Sequence, residues 1–348
     1  MTAPTTSLPT RQVRDTAVRL TSLGYGAAQA GNLYRPTSDA ETAAAVDTAW
    51  DLGVRYFDTA PHYGLGLSER RLGAALRDRP QAERVVSSKV GRLLVPSPET
   101  AHQKDPDLFD VPADRRRVWD FTRDGVLRSL DATLARTGLD RVDVVYLHDP
   151  DDHWDVASRE AVPALVELRD QGVVGAVGAG MNQSAMLARF VRETDVDVVM
   201  CAGRFTLLEQ PALADLLPVA LERGVAVVVA GVYNSGLLAR DVPPDDATYD
   251  YAQAPATLLD RTRRTAAVCA DHGVTLPEAA LAYVRLHPAV ASTVVGLRSP
   301  DQVRQAYERH TATVPDALWD ALVRAGLLAA DASPAAFARP DPSPRKRT

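Results

Sequence analysis

Short, nearly continuous apolar runs alternate with amphipathic stretches along most of the chain. The runs are VRLTSL (18–23), VRYFD (54–58), RVVSSKV (84–90), VDVVYLH (142–148), GAVGA (175–179), VDVVMC (196–201), VAVVVA (225–230) and STVVG (292–296). Runs of this length with little polar alternation predict strands buried on both faces, as in a parallel sheet. Helical periodicity fills the intervals. DAETAAAVDTAWDLG offers Asp39 as a cap and Gly53 as a stop. DFTRDGVLRSLDATLARTG sets Leu127, Leu130 and Leu134 on one face and stops at Gly138. A helical stretch begins at Ser68, and SREAVPALVELRDQG, PALADLLPVALERG and SPDQVRQAYERH repeat the pattern. PDALWDALVRAGLL (315–328) predicts a last helix packed on the outside.

Eight strand-then-helix units without a break in composition predict an α/β fold, a closed (β/α)8 TIM barrel over residues 15–330. A doubly wound sheet shares the local signal and is the alternative. Residues 1–14 and 331–348, rich in Pro, Thr, Ser and charge, are expected to be flexible tails. Two connections are long, 91–119 and 231–257. Both follow the C-terminal ends of predicted strands, the pole where such barrels carry their sites.

Composition narrows the class. The 348 residues are 46 % hydrophobic and 24 % charged, with a net charge of −6, which gives no reason to expect a nucleic-acid partner. Cys201 and Cys269 form no CxxC pair, and the N-terminus lacks the apolar core of a signal peptide. Runs such as VAVVVA are too short to span a bilayer. The expectation is a cytoplasmic protein, a monomer or small homo-oligomer, whose partner is a small molecule rather than a membrane.

The candidate chemistry gathers at one pole. Asp58 ends the second run, Tyr63 follows it within FDTAPHYGLGLSERRLG, Lys89 lies in the last turn of the third run and His148 ends the fourth. A lysine inside an apolar strand needs a paired charge, and Asp58 on the adjacent strand can supply it. A cation beside Tyr63 favours the phenolate and is expected to lower a pKa normally near 10. Tyr63 then serves as proton donor or acceptor, with His148 orienting the reacting oxygen. The run HDPDDH (148–153) could gather two histidines and carboxylates around a metal. His148 already has a role and Pro150 constrains the loop, so no metal is assigned.

This set of four resembles the aldo-keto reductases, whose pattern is Asp and Tyr after strand two, Lys at the end of strand three and His at the end of strand four. The resemblance covers about residues 18–328. The segments KVGRLLVP, YLHDPDDH, GAGMNQ, AGRFTLLEQ and GVYNSGLLA are similar to the aldose dehydrogenase branch, that of D-threo-aldose 1-dehydrogenase and L-fucose dehydrogenase, with pyridoxal 4-dehydrogenase a close relative. It implies NADP or NAD at the C-terminal pole, with the adenine end near strand eight. There VVGLRSPDQV resembles a Gly-x-Arg-Ser/Thr motif, making Gly296, Leu297, Arg298, Ser299 and Gln302 candidate cofactor contacts. Ser299 and Pro300 begin a helix whose amides can hold phosphate, and Arg298 can face a 2′-phosphate. The chain departs from the family's pattern at Gly180-Met181 (commonly Ser-Asn), Ala202 (Gln), Ala230 (an aromatic) and Ala306 (Asn). Asn182 and Gly231 are the candidates beside the nicotinamide.

Polar and aromatic residues on the loops of this pole, His62, Trp119, Asp149, His153, Trp154 and Asn234, are candidate substrate contacts. With the branch resemblance they imply an aldose of the L-fucose, D-arabinose or L-galactose type, oxidised at the anomeric carbon to an aldonolactone. Oxidation of pyridoxal, general carbonyl reduction and a non-catalytic nucleotide-sensing barrel are the alternatives.

Overall fold

The computed structural model describes residues 7–250 and 252–337. Eight parallel strands close a barrel in chain order: β1 Leu23–Gly26, β2 Tyr56–Asp58, β3 Val85–Val90, β4 Val144–His148, β5 Ala176–Met181, β6 Val198–Ala202, β7 Ala226–Ala230 and β8 Val290–Gly296, which pairs back to β1. The apolar runs are continuous because each strand feeds two cores. Tyr56, Val144, Tyr146, Ala176, Val198, Met200 and Val228 point into the barrel, and Phe57, Val145, Leu147, Val177, Val199 and Val227 pack outward under the helices.

The run at 18–23 is not the first barrel strand. Arg19–Thr21 pairs antiparallel with Thr10–Gln12, and the barrel strand starts only at Leu23. This hairpin drives Val13, Val18 and Leu20 into the interior cluster and so plugs the barrel's N-terminal pole. The expected N-terminal tail is therefore ordered in its described part, with Leu8 and Val13 buried. The expected C-terminal tail is ordered as far as a helical turn at Pro334–Phe337, because Tyr283 donates its hydroxyl to the Ala332 carbonyl at 2.7 Å and Phe337 is buried. The remaining stretches of both expected tails, 1–6 and 338–348, lie outside the described residues.

Helices α1 Asp39–Asp51, α2 Leu67–Leu76, α3 Arg123–Thr137, α4 Val162–Asp170, α5 Ser184–Glu193, α6 Leu216–Arg223, α7 Ala256–Asp271, α8 Leu276–Arg285 and α9 Pro300–Thr311 surround the barrel. A last helix, α10 Asp316–Arg324, packs against α7. Ser38, not Asp39, caps α1 by accepting from the Glu41 amide. The buried face of α3 runs through Val126, Leu130, Thr133 and Thr137 rather than Leu127, Leu130 and Leu134. Thr133 turns inward because it donates a hydrogen bond to Glu69, a fully buried carboxylate on α2. Among the described residues no helix is long and apolar enough to cross a membrane.

Both long connections have internal order. After β3, Arg92–Pro96 pairs antiparallel with Arg115–Trp119 into a ribbon that stands over the C-terminal pole. A bridge between Leu33 and Phe109 ties it to the loop after β1. After β7, Thr248–Tyr249 pairs with Ala252–Gln253.

Candidate active site

Strand register assembles the centre of the site. Asp58 lies opposite Ser87 of β3, and Lys89, two residues on, lies opposite Tyr146 of β4. Both charged residues are 2 % exposed. The Lys89 ammonium donates to Asp58 Oδ1 at 2.9 Å, to Asp58 Oδ2 at 2.7 Å and to the Thr59 carbonyl at 3.0 Å. Tyr63 is carried back over this pair by a tight loop. Gly64 adopts φ +61°, and a Cβ there would sit 2.2 Å from the Gly31 carbonyl oxygen, so only glycine lets the loop close onto the segment after β1. Lys89 Nζ then lies 4.8 Å from the centre of the Tyr63 ring. His148 ends β4 with its ring edge-on to Tyr63, 6.0 Å between centroids. The structure brings the four candidates into one place.

Burial and charge divide the titration among them. Burial pulls Lys89 down, but Asp58 first and Tyr63 second outweigh it, and the ammonium is held well above its ordinary range. The expected lowering of Tyr63 is not found. Burial of the phenol dominates and raises its pKa, with Lys89 opposing and Asp58 adding to the rise. His148 is pushed far below its ordinary value by burial, then by Arg92 and Lys89, so it is a neutral imidazole at pH 7. Its Nδ1 is buried without a partner among the described residues.

A second ring of charge walls the cavity above Tyr63, Lys89 and His148, which has a volume of about 580 Å³. Arg92, from the ribbon, pairs with Asp149 and lies 3.2 Å from His62 Nδ1. Asp149 Oδ2 is 3.6 Å from His148 Nε2. Arg117 donates to the His62 carbonyl at 2.8 Å and is fixed by Asp105 at 2.6 Å. Burial raises the Asp149 carboxyl against the pull of Arg92, and burial lowers the Arg92 guanidinium against the pull of Asp149. Leu33, Leu108, Phe109, Met181 and Met200 are among the apolar residues of the wall.

The other expected substrate contacts divide. His62 and Asp149 line the cavity. Trp154 does not, because it packs on Phe190 and under Arg189 of α5. Trp119 and His153 stack with Phe121 away from the cavity, and Trp119 backs Arg92, whose guanidinium is 4.3 Å from its ring centre. Asn234 lies in the neighbouring cleft. Arg92 was missed in the sequence, although it stands only three residues past Lys89. In a chain with many arginines, nothing local marks the one that a ribbon folds inward.

The catalytic cavity continues into a cleft and then an outer groove that reaches α9. Asn182, Ala202 and Ala230 line both cavity and cleft, and Gly296 and Gln29 line both cleft and groove. Such a trough suits an elongated ligand with its reactive end at Tyr63. Gly231 lines the cleft with Asn182, and Gly296, Leu297 and Gln302 line the groove. Gln29 Oε1 and Asn234 Oδ1 are buried there with no partner among the described residues, and the amide and ribose hydroxyls of a nicotinamide dinucleotide would supply donors to such acceptors. The residues present therefore fit such a cofactor.

The loop before α9 departs from expectation. Arg298 lines the groove, but its guanidinium is engaged by the segment after β1. It bonds the Leu33 carbonyl at 2.7 Å, the Arg35 carbonyl at 2.9 Å and the Thr37 hydroxyl, and the residue is 5 % exposed. It is a strut for the 33–37 loop. Ser299 caps α9 by accepting from the Gln302 amide, and Gln302 Oε1 accepts from the Arg298 amide at 2.8 Å, so these side chains hold one another. The cations that line the groove are Arg35, Arg240, Arg298 and Arg309.

Comparison with known proteins agrees with this layout. A family model described as Aldo/keto reductase family matches residues 22–323. A D-threo-aldose 1-dehydrogenase of Pseudomonas sp is 50 % identical over 311 residues, covering 88 % of this chain and 94 % of that protein. A pyridoxal 4-dehydrogenase of Microbacterium luteolum is 37 % identical over 336 residues, covering 91 % and 97 %. Among solved structures, an aldo-keto reductase from Bacillus halodurans in its holo form superposes with a TM-score of 0.72 at 22 % identity, covering 91 % of this chain and 96 % of that one.

Proposed function

The chain belongs to the aldo/keto reductase family of nicotinamide-dependent oxidoreductases, and from that premise we propose that it oxidises an aldose at the anomeric carbon to an aldonolactone. It is thus an enzyme, not a sensor barrel. The observation that carries the substrate class is the Arg92–Asp149 pair facing the cavity of Tyr63 and His148. A carboxylate accepts from hydroxyls and a guanidinium donates to ring or hydroxyl oxygens, so the pair offers a polyol both kinds of partner in one partly buried edge. A substrate without matching hydroxyls would leave the pair's remaining donors and acceptor oxygen unmet in the cavity, which discriminates against it. The identity with a D-threo-aldose 1-dehydrogenase supports the same class.

In this reading Tyr63 takes the proton of the anomeric hydroxyl and His148, neutral, holds that oxygen by a hydrogen bond. Lys89 stabilises the negative charge on the Tyr63 oxygen, and Asp58 fixes Lys89. Bound nicotinamide supplies the acceptor for the hydride that leaves the anomeric carbon. Asn182, Gly231, Asn234 and Gln29 hold its nicotinamide and ribose side, and the groove between Gly296 and Arg309 holds its adenine side. We propose that NAD is preferred and NADP accepted, since Arg298 is occupied by backbone carbonyls.

A second reading is oxidation of pyridoxal, favoured by the 37 % identity with a pyridoxal 4-dehydrogenase and by the Phe109 and Leu108 wall, which suits an aromatic ring. Incubation with L-fucose, D-arabinose, L-galactose or pyridoxal and excess oxidised cofactor, with products identified by NMR, separates them. Formation of an aldono-1,5- or 1,4-lactone is the expected result. Turnover of pyridoxal with no turnover of any aldose would overturn the sugar assignment.

A further inference from the structure

His62 stands immediately before Tyr63 in the chain and takes no part in the proton transfer, yet three contacts fix it. Its carbonyl accepts from Arg117 at 2.8 Å. Its ring meets Phe109 edge-on, at 90° and 5.4 Å between centroids. Its Nδ1 lies 3.2 Å from a terminal nitrogen of Arg92. The side chain is 16 % exposed, and it lines the cavity above Tyr63 and His148. A loop side chain held from three sides is preorganised, as a group that must meet a ligand in one geometry has to be.

The contact with Arg92 decides where the ring keeps its proton. A guanidinium only donates, so His62 Nδ1 accepts. An imidazole that accepts at Nδ1 carries its single proton on Nε2. The surroundings agree, because burial first, then Arg92, Arg117 and Lys89, pushes the His62 pKa down to about 2 and keeps the ring neutral at pH 7. Among the described residues the ring's hydrogen bond is the one at Nδ1, which leaves Nε2–H to donate to a ligand. The other terminal nitrogen of Arg92 pairs with Asp149. One guanidinium fork therefore holds a donor ring on one side and an acceptor carboxylate on the other.

The ring also stands beside the place of the reacting oxygen. His62 is edge-on to His148 at 5.4 Å and 6.1 Å from the Tyr63 ring, while Tyr63 and His148 are 6.0 Å apart. Three rings surround one point, and two of them hold the anomeric oxygen in the reaction proposed above. A donor on the third reaches what is attached beside that oxygen, either the ring oxygen of the sugar or the hydroxyl of the next carbon. The ring oxygen must release electron density to the anomeric carbon as hydride leaves, and a donor on it would oppose the reaction. The 2-hydroxyl carries no such conflict, and it can accept from His62 while donating to Asp149. We propose that His62 is the specificity-determining residue for the 2-hydroxyl of the aldose, donating to it from Nε2, with Arg92 as the positioning residue that fixes this tautomer. This assignment rests on aldose oxidation as the reaction of the site.

The test compares the parent, His62→Phe and His62→Gln by kcat/KM for an aldose and for its 2-deoxy counterpart. The ratio of the two should fall roughly tenfold in His62→Phe, because no donor is left for the 2-hydroxyl to lose. His62→Gln, whose amide can accept from Arg92 and donate onward, should recover part of the ratio. The ratio of L-galactose to L-fucose, which differ only in the 6-hydroxyl, should be the same in all three proteins. A second readout uses no turnover. The 15N resonances of His62 in histidine-labelled parent should show a proton on Nε2 and none on Nδ1, and Arg92→Leu should bring up the Nδ1–H form. An unchanged 2-deoxy ratio in an active His62→Phe, or equal changes in both ratios, would overturn the 2-hydroxyl assignment and leave aldose oxidation standing. A proton on Nδ1 in the parent, or a tautomer indifferent to Arg92→Leu, would overturn the role of Arg92. Turnover of no aldose at all would fail the reading of the reaction, and the 2-hydroxyl assignment with it.

Discussion

Lys89 and Asp58 meet across adjacent strands, with the ammonium on both carboxylate oxygens at 2.9 and 2.7 Å and each side chain 3 % exposed. Neither charge is tolerable there alone. Removing one partner strands the other, at a cost of about 3–5 kcal/mol, while replacing both with apolar or neutral groups is far milder. Lys89→Met and Asp58→Leu should each lower the midpoint of thermal unfolding by several degrees, and the double variant should regain most of it. None of the three should turn over substrate. A double variant no more stable than the singles would show that the pair is not what holds this part of the barrel.

Tyr63→Phe tests the base directly. Loss of acid–base catalysis costs about 10²-fold or more in kcat, and the substitution removes only one hydroxyl from the reactive end of the trough, so cofactor affinity measured by fluorescence titration should be nearly unchanged. Near-parent turnover would remove Tyr63 from proton transfer.

The pH dependence follows from the direction of two shifts. Burial raises Tyr63, so in the free protein the phenol keeps its proton at pH 7 and oxidation should speed up as pH rises into the alkaline range, about tenfold per unit while the neutral phenol predominates. His148 is shifted the opposite way and stays neutral, so the profile of kcat/KM should have no break near pH 6.5. A histidine-like break there, absent in His148→Gln, would show that His148 titrates in the working range.

Arg92→Leu should separate aldoses from simple carbonyls. A lost hydrogen bond to a charged donor is worth about 1.5–3 kcal/mol, or roughly 10- to 100-fold. That loss should fall on kcat/KM for aldoses, with little change for a small aldehyde assayed in reduction. Equal losses for both would make Arg92 a prop for His148 and Asp149 rather than a reader of hydroxyls.

Arg298→Ala should weaken NAD and NADP alike and lower thermal stability, since its guanidinium braces the carbonyls of Leu33 and Arg35. A selective loss of NADP, with stability intact, would restore Arg298 as the contact for a 2′-phosphate.

The sequence by itself determined the barrel and the four residues at its centre. Strands buried on both faces must be written as unbroken apolar runs, so seven of the eight barrel strands stand out in the chain, and a polar residue that interrupts or ends such a run, as Asp58, Lys89 and His148 do, is visible for the same reason. What only the tertiary structure decided depends on where loops and side chains turn. The run at 18–23 divides because a hairpin needs its first half to plug the barrel, a demand made by the opposite strands. Arg298 looks like a phosphate contact in the chain, and becomes a strut because the loop at 33–37 brings its carbonyls within reach. Arg92 enters the site, and Trp154 leaves it, through the course of a ribbon and a helix. The Tyr63 pKa rises because burial outweighs a neighbouring charge. The His62 proton is placed on Nε2 only because the ribbon after β3 brings the Arg92 guanidinium to Nδ1, and no local pattern in the chain sets two residues thirty positions apart at hydrogen-bonding distance.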